Sequence, residues 1–64
     1  MVKINGNECD VAGKILAQYL AATSYDCKRI AVEINGEIIP KALYEQTILS
    51  DGDAVEVVSF VGGG

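Results

Sequence analysis

Only one stretch of this 64-residue chain has a helical period, and that limits the folds open to it. Ile15, Leu16, Tyr19, Leu20 and Thr23 recur at i, i+1, i+4, i+5 and i+8, which predicts a helix from about Val11 to Ser24 with one apolar face. Asp10 is the better N-cap by chemistry, and Gly13 would cap a shorter helix starting at Lys14; both starts keep the same buried face. A single helix with a single apolar face needs one sheet to cover it. Half of the residues are hydrophobic, enough for a core and too many for a disordered chain.

Strand signals flank the helix on both sides. "MVKI" alternates, with Val2 and Ile4 on one face; "NGN" at Asn5 to Asn7 is a hairpin turn, and Glu8 to Val11 is the returning strand. "IAVEI" sets Ile30, Val32 and Ile34 on one face, with Ala31 and Glu33 opposite. Asn35-Gly36 then turns the chain into "EIIP", where Pro40, lacking an N–H, ends the strand or sits at an edge. Lys41 to Leu49 reads as a connection with one helical turn, "SDGD" at Ser50 to Asp53 as a third turn, and "AVEVVSF" as the last strand. The resulting order is strand, strand, helix, strand, strand, strand. Its economical packing is an α+β domain in which a mixed sheet of four or five strands curls around the helix, with the first and last strands adjacent in the centre. This is the β-grasp arrangement known from ubiquitin.

Charge and composition narrow the function. Nine acidic residues against five basic ones give a net charge of −4, which opposes the electrostatics of nucleic-acid binding and favours encounter with a basic protein surface. The N-terminus turns polar after four residues and no apolar run approaches a membrane span, so neither a secretory signal nor a membrane is expected and the expected location is cytoplasmic. Cys9 and Cys27 read as reduced residues, Cys9 partly buried on its strand. The chain contains no His, its carboxylates are scattered, and a core this small leaves little room for a ligand cavity, typically about 300 Å³ or more. No residue is assigned a catalytic role, no bound cofactor or metal is expected, and Lys14, Lys28 and Arg29 read as solvated charges. A surface or a terminus must therefore be the working part.

The last strand and the residues after it supply both. With Val55 and Val57 toward the helix, Glu56, Val58 and Phe60 point outward and leave an apolar patch available for docking; a bulge or an end-of-strand twist would instead turn Phe60 into the core. "SFVGGG" then places three glycines after a strong strand former. Three glycines in a row disfavour any ordered conformation, so the domain is expected over 1–60 with a flexible tail over 61–64.

From Val32 to Gly64 the sequence "VEINGEIIPKALYEQTILSDGDAVEVVSFVGGG" closely resembles the ThiS family, the sulfur carrier proteins of thiamin biosynthesis. The pattern is an Asn-Gly turn, Glu-Ile-Ile-Pro followed by a basic residue, Leu-x-Asp-Gly-Asp, and a Val-rich strand running into Val-Gly-Gly-Gly. The first hairpin and the "ILAQYL" helix also sit where that family has them, although Gly13 precedes Lys14 where the family often has a Ser or Thr cap. The resemblance implies that a partner of the ubiquitin-activating type uses ATP to adenylate the carboxylate of Gly64. Sulfur from a persulfide donor then converts it to a thiocarboxylate, which supplies thiazole synthase with the sulfur of the thiazole ring. Gly62 and Gly63 would thread the tail into a narrow channel, and Val58, Phe60, Val61 and Lys41 would meet partners. A β-grasp carrier for another pathway of the molybdopterin type, or a ubiquitin-like protein modifier, would use the same tail.

Overall fold

Two Asn-Gly dipeptides set the two hairpins. Asn5 and Gly6 have φ of 50° and 85°, Asn35 and Gly36 of 53° and 86°, the pair of left-handed residues that a two-residue turn needs to match the twist of its strands. In the computed structural model, which describes residues 1–60, these turns join β1 (Val2–Ile4) to β2 (Asn7–Cys9) and β3 (Ile30–Ile34) to β4 (Glu37–Ile39). The last strand, β5 (Ala54–Ser59), runs between the hairpins, parallel to β1 and antiparallel to β3, giving the order β2-β1-β5-β3-β4. The mixed five-stranded sheet with first and last strands adjacent is the one expected. Pro40 closes β4 and starts the 3-10 turn Lys41–Leu43, and the Ser50–Asp53 turn is held by Asp53, whose Oδ2 accepts from the Ser50 N–H at 2.9 Å.

Two boundaries differ from the sequence expectation. The second strand covers Asn7–Cys9 rather than Glu8 to Val11, because β1 is three residues long and Cys9 already pairs with its first residue, Val2. The helix, α1, covers only Leu16–Ala21, and neither Asp10 nor Gly13 caps it. Its N-cap is Ile15, in extended conformation and with no side-chain capping bond. The physical reason is a tertiary one. The Gly13 N–H donates to the Leu49 carbonyl (2.6 Å) and the Leu49 N–H to the Lys14 carbonyl (2.8 Å), holding the preceding segment straight against the Thr47–Leu49 chain. The first helical N–H groups, of Leu16 and Ala17, then donate to the carbonyls of Thr47 (2.7 Å) and Tyr44 (3.0 Å), partners that a capping side chain would otherwise have to supply. Gly13, with φ of +88°, serves the turn closed by the Lys14 N–H on the Val11 carbonyl rather than a helix start. At the other end Thr23 lies past the helix, its Oγ1 donating to the Leu20 carbonyl at 2.7 Å.

The core joins Val2 and Ile4 of β1, Ile30 and Val32 of β3, and Val55 and Val57 of β5 to Leu16 and Leu20 of α1. Leu49 and Tyr44, from the connection between β4 and β5, complete it, and no polar or charged residue is buried among the described residues. Asn5 adds a bond set of its own. Its backbone N–H continues the parallel ladder to the Val55 carbonyl at 2.9 Å, and its side chain then acts as one more peptide unit. Oδ1 accepts the Val57 N–H at 2.7 Å, and Nδ2 donates to the Val57 carbonyl and to the Tyr25 hydroxyl, both at 3.2 Å.

Leu20→Ala, which empties a fully buried site on α1, is expected to lower the unfolding free energy by about 2–5 kcal/mol in chemical denaturation. Asn5→Gly keeps the left-handed turn while deleting the side-chain bonds to Val57. A loss of about 1–3 kcal/mol is expected there, and an unchanged denaturation midpoint would show that water replaces the asparagine without penalty.

Candidate functional site

Alternation along β5 decides what the far side of the sheet offers. Val55 and Val57 enter the core, while Glu56 and Val58 stand on the face away from α1. The register with β3 runs without interruption from Ile34↔Val55 to Ile30↔Ser59, and the Phe60 N–H donates to the Arg29 carbonyl at 2.6 Å, one step further along the same ladder. No bulge intervenes. Phe60 is therefore 52% exposed and Val58 54% exposed, which decides between the two sequence readings in favour of an outward Phe60. Ala31, paired with Val58, adjoins this patch, and Ile38 of β4, 72% exposed, lies on the same outer face beyond Glu33. The alternation of "EII" against Glu33 was the signal available in the sequence for Ile38.

The odd and even residues of β5 divide the hydrogen bonding. The Asn35 N–H donates to the Ala54 carbonyl at 2.8 Å and that of Phe60 to Arg29, so the even-numbered residues face β3 and the odd-numbered ones face β1. β1 pairs with Ala54 and Val55 and then turns away. Beyond it the Asn5 side chain takes both backbone groups of Val57, holding the half of β5 that leads to Phe60. This role of Asn5 was not legible in the sequence, where Asn-Gly reads only as a turn.

Lys41 is placed differently from the other expected contacts. It follows Pro40 at the end of β4, near the start of β3, and lines an open-sided hollow of about 370 Å³ with Ala17, Cys27 and Tyr44. Lys41 is thus at the sheet end shared with Phe60 but beside α1, apart from the outer-face pair Val58 and Phe60. Burial pushes the Tyr44 phenol above its ordinary range, so it stays neutral beside that hollow. Asp51, at the turn leading into β5 and so at its opposite end, is held below the usual carboxylate range by a hydrogen bond from the Met1 ammonium. Val61, Gly62, Gly63 and Gly64, and with them the expected tail, lie outside the described residues. Among the described residues no group of His, Cys, Asp and Glu is arranged to hold a metal, and no helix is long and apolar enough to cross a membrane.

Comparison with known proteins places this fold in a family. The model of the ThiS family matches residues 2–64. The chain belongs to the ThiS family. The sulfur carrier protein ThiS of Bacillus subtilis is 40% identical over 68 residues, with both chains covered in full. ThiS from Geobacter metallireducens, a thiamine biosynthesis protein known from its crystal structure, superposes with a TM-score of 0.78 at 33% identity, covering 98% of this chain and 97% of that one. A thiazole synthase of Paramagnetospirillum magneticum is 40% identical over 62 residues, and there the match spans 95% of this chain but 19% of the synthase. The ThiS fold is the ubiquitin-like β-grasp expected from the element order.

Because Phe60 and Val58 make no part of the buried core, truncating either should leave folding intact. Phe60→Ala is expected to change the unfolding free energy by less than about 1 kcal/mol, against the roughly 3–5 kcal/mol typical of a buried Phe. Equilibrium denaturation of the purified variant measures it, and a loss in the larger range would mean that Phe60 packs inward in solution.

Proposed function

We propose that the protein is a sulfur carrier of thiamin biosynthesis whose working group is the carboxylate of Gly64, and that it acts in the cytoplasm as a co-substrate of partner enzymes rather than as a catalyst. A carboxylate with a reference pKa of about 3.3–3.7 is ionised at neutral pH and resists nucleophilic attack. An adenylating enzyme of the ubiquitin-activating type removes that resistance: one carboxylate oxygen attacks the α-phosphorus of ATP, pyrophosphate leaves, and Gly64 becomes an acyl adenylate. The terminal sulfur of a donor persulfide attacks the acyl carbon and AMP leaves. A thiol then cleaves the S–S bond, supplying the two electrons, and the tail carries a thiocarboxylate. Thiazole synthase takes the sulfur from it. ATP is consumed by the activating partner, and the carrier needs no bound cofactor.

The observation that carries this reading is the path of β5, which ends beside the outward Val58 and Phe60 three residues before the first of three glycines. An extended residue spans about 3.3–3.6 Å, so three glycines reach roughly 10 Å beyond the folded body. Without Cβ atoms, Gly62 and Gly63 fit a narrow channel while the domain stays outside, docked through Val58, Phe60 and Val61, with Lys41 reaching the partner from the side of α1. The identity with a ThiS sulfur carrier over the whole chain supports the same reading, and the thiazole synthase relative supports thiazole synthase as the consumer.

Intact-mass measurement after incubation with the adenylating enzyme, ATP and a persulfide donor tests it. The full chain should gain the mass difference between one sulfur and one oxygen atom, and a chain lacking Gly64 should gain nothing while melting at the same temperature. Equal loading of both would overturn the assignment of Gly64, and ladders of protein adducts would indicate a modifier instead. Phe60→Ala should weaken binding to the adenylating enzyme by about tenfold or more, as aromatic anchors at interface centres do.

A further inference from the structure

The outer face contains a pairing that folding alone does not favour. Glu33 of β3 and Glu56 of β5 are direct cross-strand partners on the side of the sheet away from α1. The Asn35 and Phe60 bonds fix the phase of that ladder, so Glu33↔Glu56 is a hydrogen-bonded pair, with Cα atoms about 5.5 Å apart. Like charges directly opposite each other on a sheet repel. Among the described residues neither carboxylate has an ion-pair partner: the two ion pairs are Met1 with Asp51 and Arg29 with Asp26. Apolar groups flank the two carboxylates on the side of β4 and toward Phe60: Ile38 pairs with Glu33, Val58 stands two residues along β5 from Glu56, and Ala31 two residues along β3 from Glu33. On the side of β1, Lys3 pairs with Ala54, diagonal to Glu56 on the same face, without forming an ion pair with it.

We propose that this face docks on a protein surface that inserts one arginine between Glu33 and Glu56, with apolar groups around it to meet Ile38, Val58 and Phe60. The occupant is the adenylating partner, so the inference rests on the docking role given above to Val58 and Phe60. Charge complementarity selects the arginine. Two carboxylates at this spacing present acceptors to one planar guanidinium, whose five donors can bridge both, where the point charge of a lysine would satisfy them less completely. Desolvation by the surrounding apolar contacts strengthens the pairing, and the repulsion present in the free carrier becomes attraction in the complex. The net charge of −4 thereby gains a location on the surface at which it acts.

The test is calorimetric titration of the full-length carrier into the adenylating enzyme of the same organism at two salt concentrations, beside equilibrium unfolding of each variant. Glu33→Gln and Glu56→Gln should each weaken binding about tenfold, and the double variant little more than either single one, since one cation serves both. The double variant should unfold no more easily than the parent and should show a shallower salt dependence of binding. Asp10→Asn, which removes an equal charge from an exposed position just after β2, at the sheet end away from Phe60, should bind as the parent does. Unchanged affinity of the double variant, strictly additive losses, or an equal loss in Asp10→Asn would each overturn the shared-arginine proposal. Phe60→Ala separates the two readings: if it weakens binding while the glutamate variants do not, the docking face stands and the arginine falls, and if it too binds normally, the docking role itself fails.

Discussion

Everything in this molecule is referred to β5, which is bonded on both sides and is the last strand of the described chain. A central strand loses little to solvent, but here its two neighbours are unequal. β3 accompanies it along its whole length, whereas β1 leaves after two residues. The Asn5 side chain makes up the difference by presenting a carbonyl and an amide to Val57 in the geometry of a backbone. Asn35 does the corresponding work at the other end, where its Oδ1 accepts the Ala54 N–H at 2.9 Å and its Nδ2 donates to Asp53. Each Asn-Gly turn thus closes one hairpin and also grips the strand between the hairpins. Local and long-range requirements agree at the same two residues, which is the consistency expected of a sequence with one native state.

Fixing β5 also fixes which of its side chains point outward. One face of the strand is consumed by the core, and the pleat then assigns the alternate residues to the outer face with no further choice. Among the described residues the core is small, ten buried hydrophobic residues of which six lie on the sheet and two on the six-residue helix. Phe60 is still on the ladder through Arg29, immediately before the described residues end.

Much of this was legible in the sequence because it depends on short-range rules. Alternation assigned Val2, Ile4, Ile30, Val32, Val55 and Val57 to the core, and the Asn-Gly pairs located both hairpins. Helical spacing identified Leu16 and Leu20. The helix start was misplaced because its first N–H groups are satisfied by the carbonyls of Tyr44 and Thr47, far along the chain. Ile15, which fits the helical spacing, is drawn into extended pairing with Ile48 by the same contact. Leu49 and Tyr44 belong to a connection without a period of its own, so their burial could not be inferred from spacing.

The sequence by itself determined the order of elements, the two hairpins, the inward face of each strand and the kinship with ThiS proteins. Those depend on steric preferences of one or two residues, on a repeat of two or about four, or on a motif read in order. Tertiary structure decided the length of the helix, the course of the chain at Phe60 and the second role of Asn5, because each depends on which backbone groups lack a partner once distant segments have met. It also decided that Glu33 and Glu56 face each other. Their positions are 23 apart in the chain, and only the register of β3 against β5 makes them neighbours.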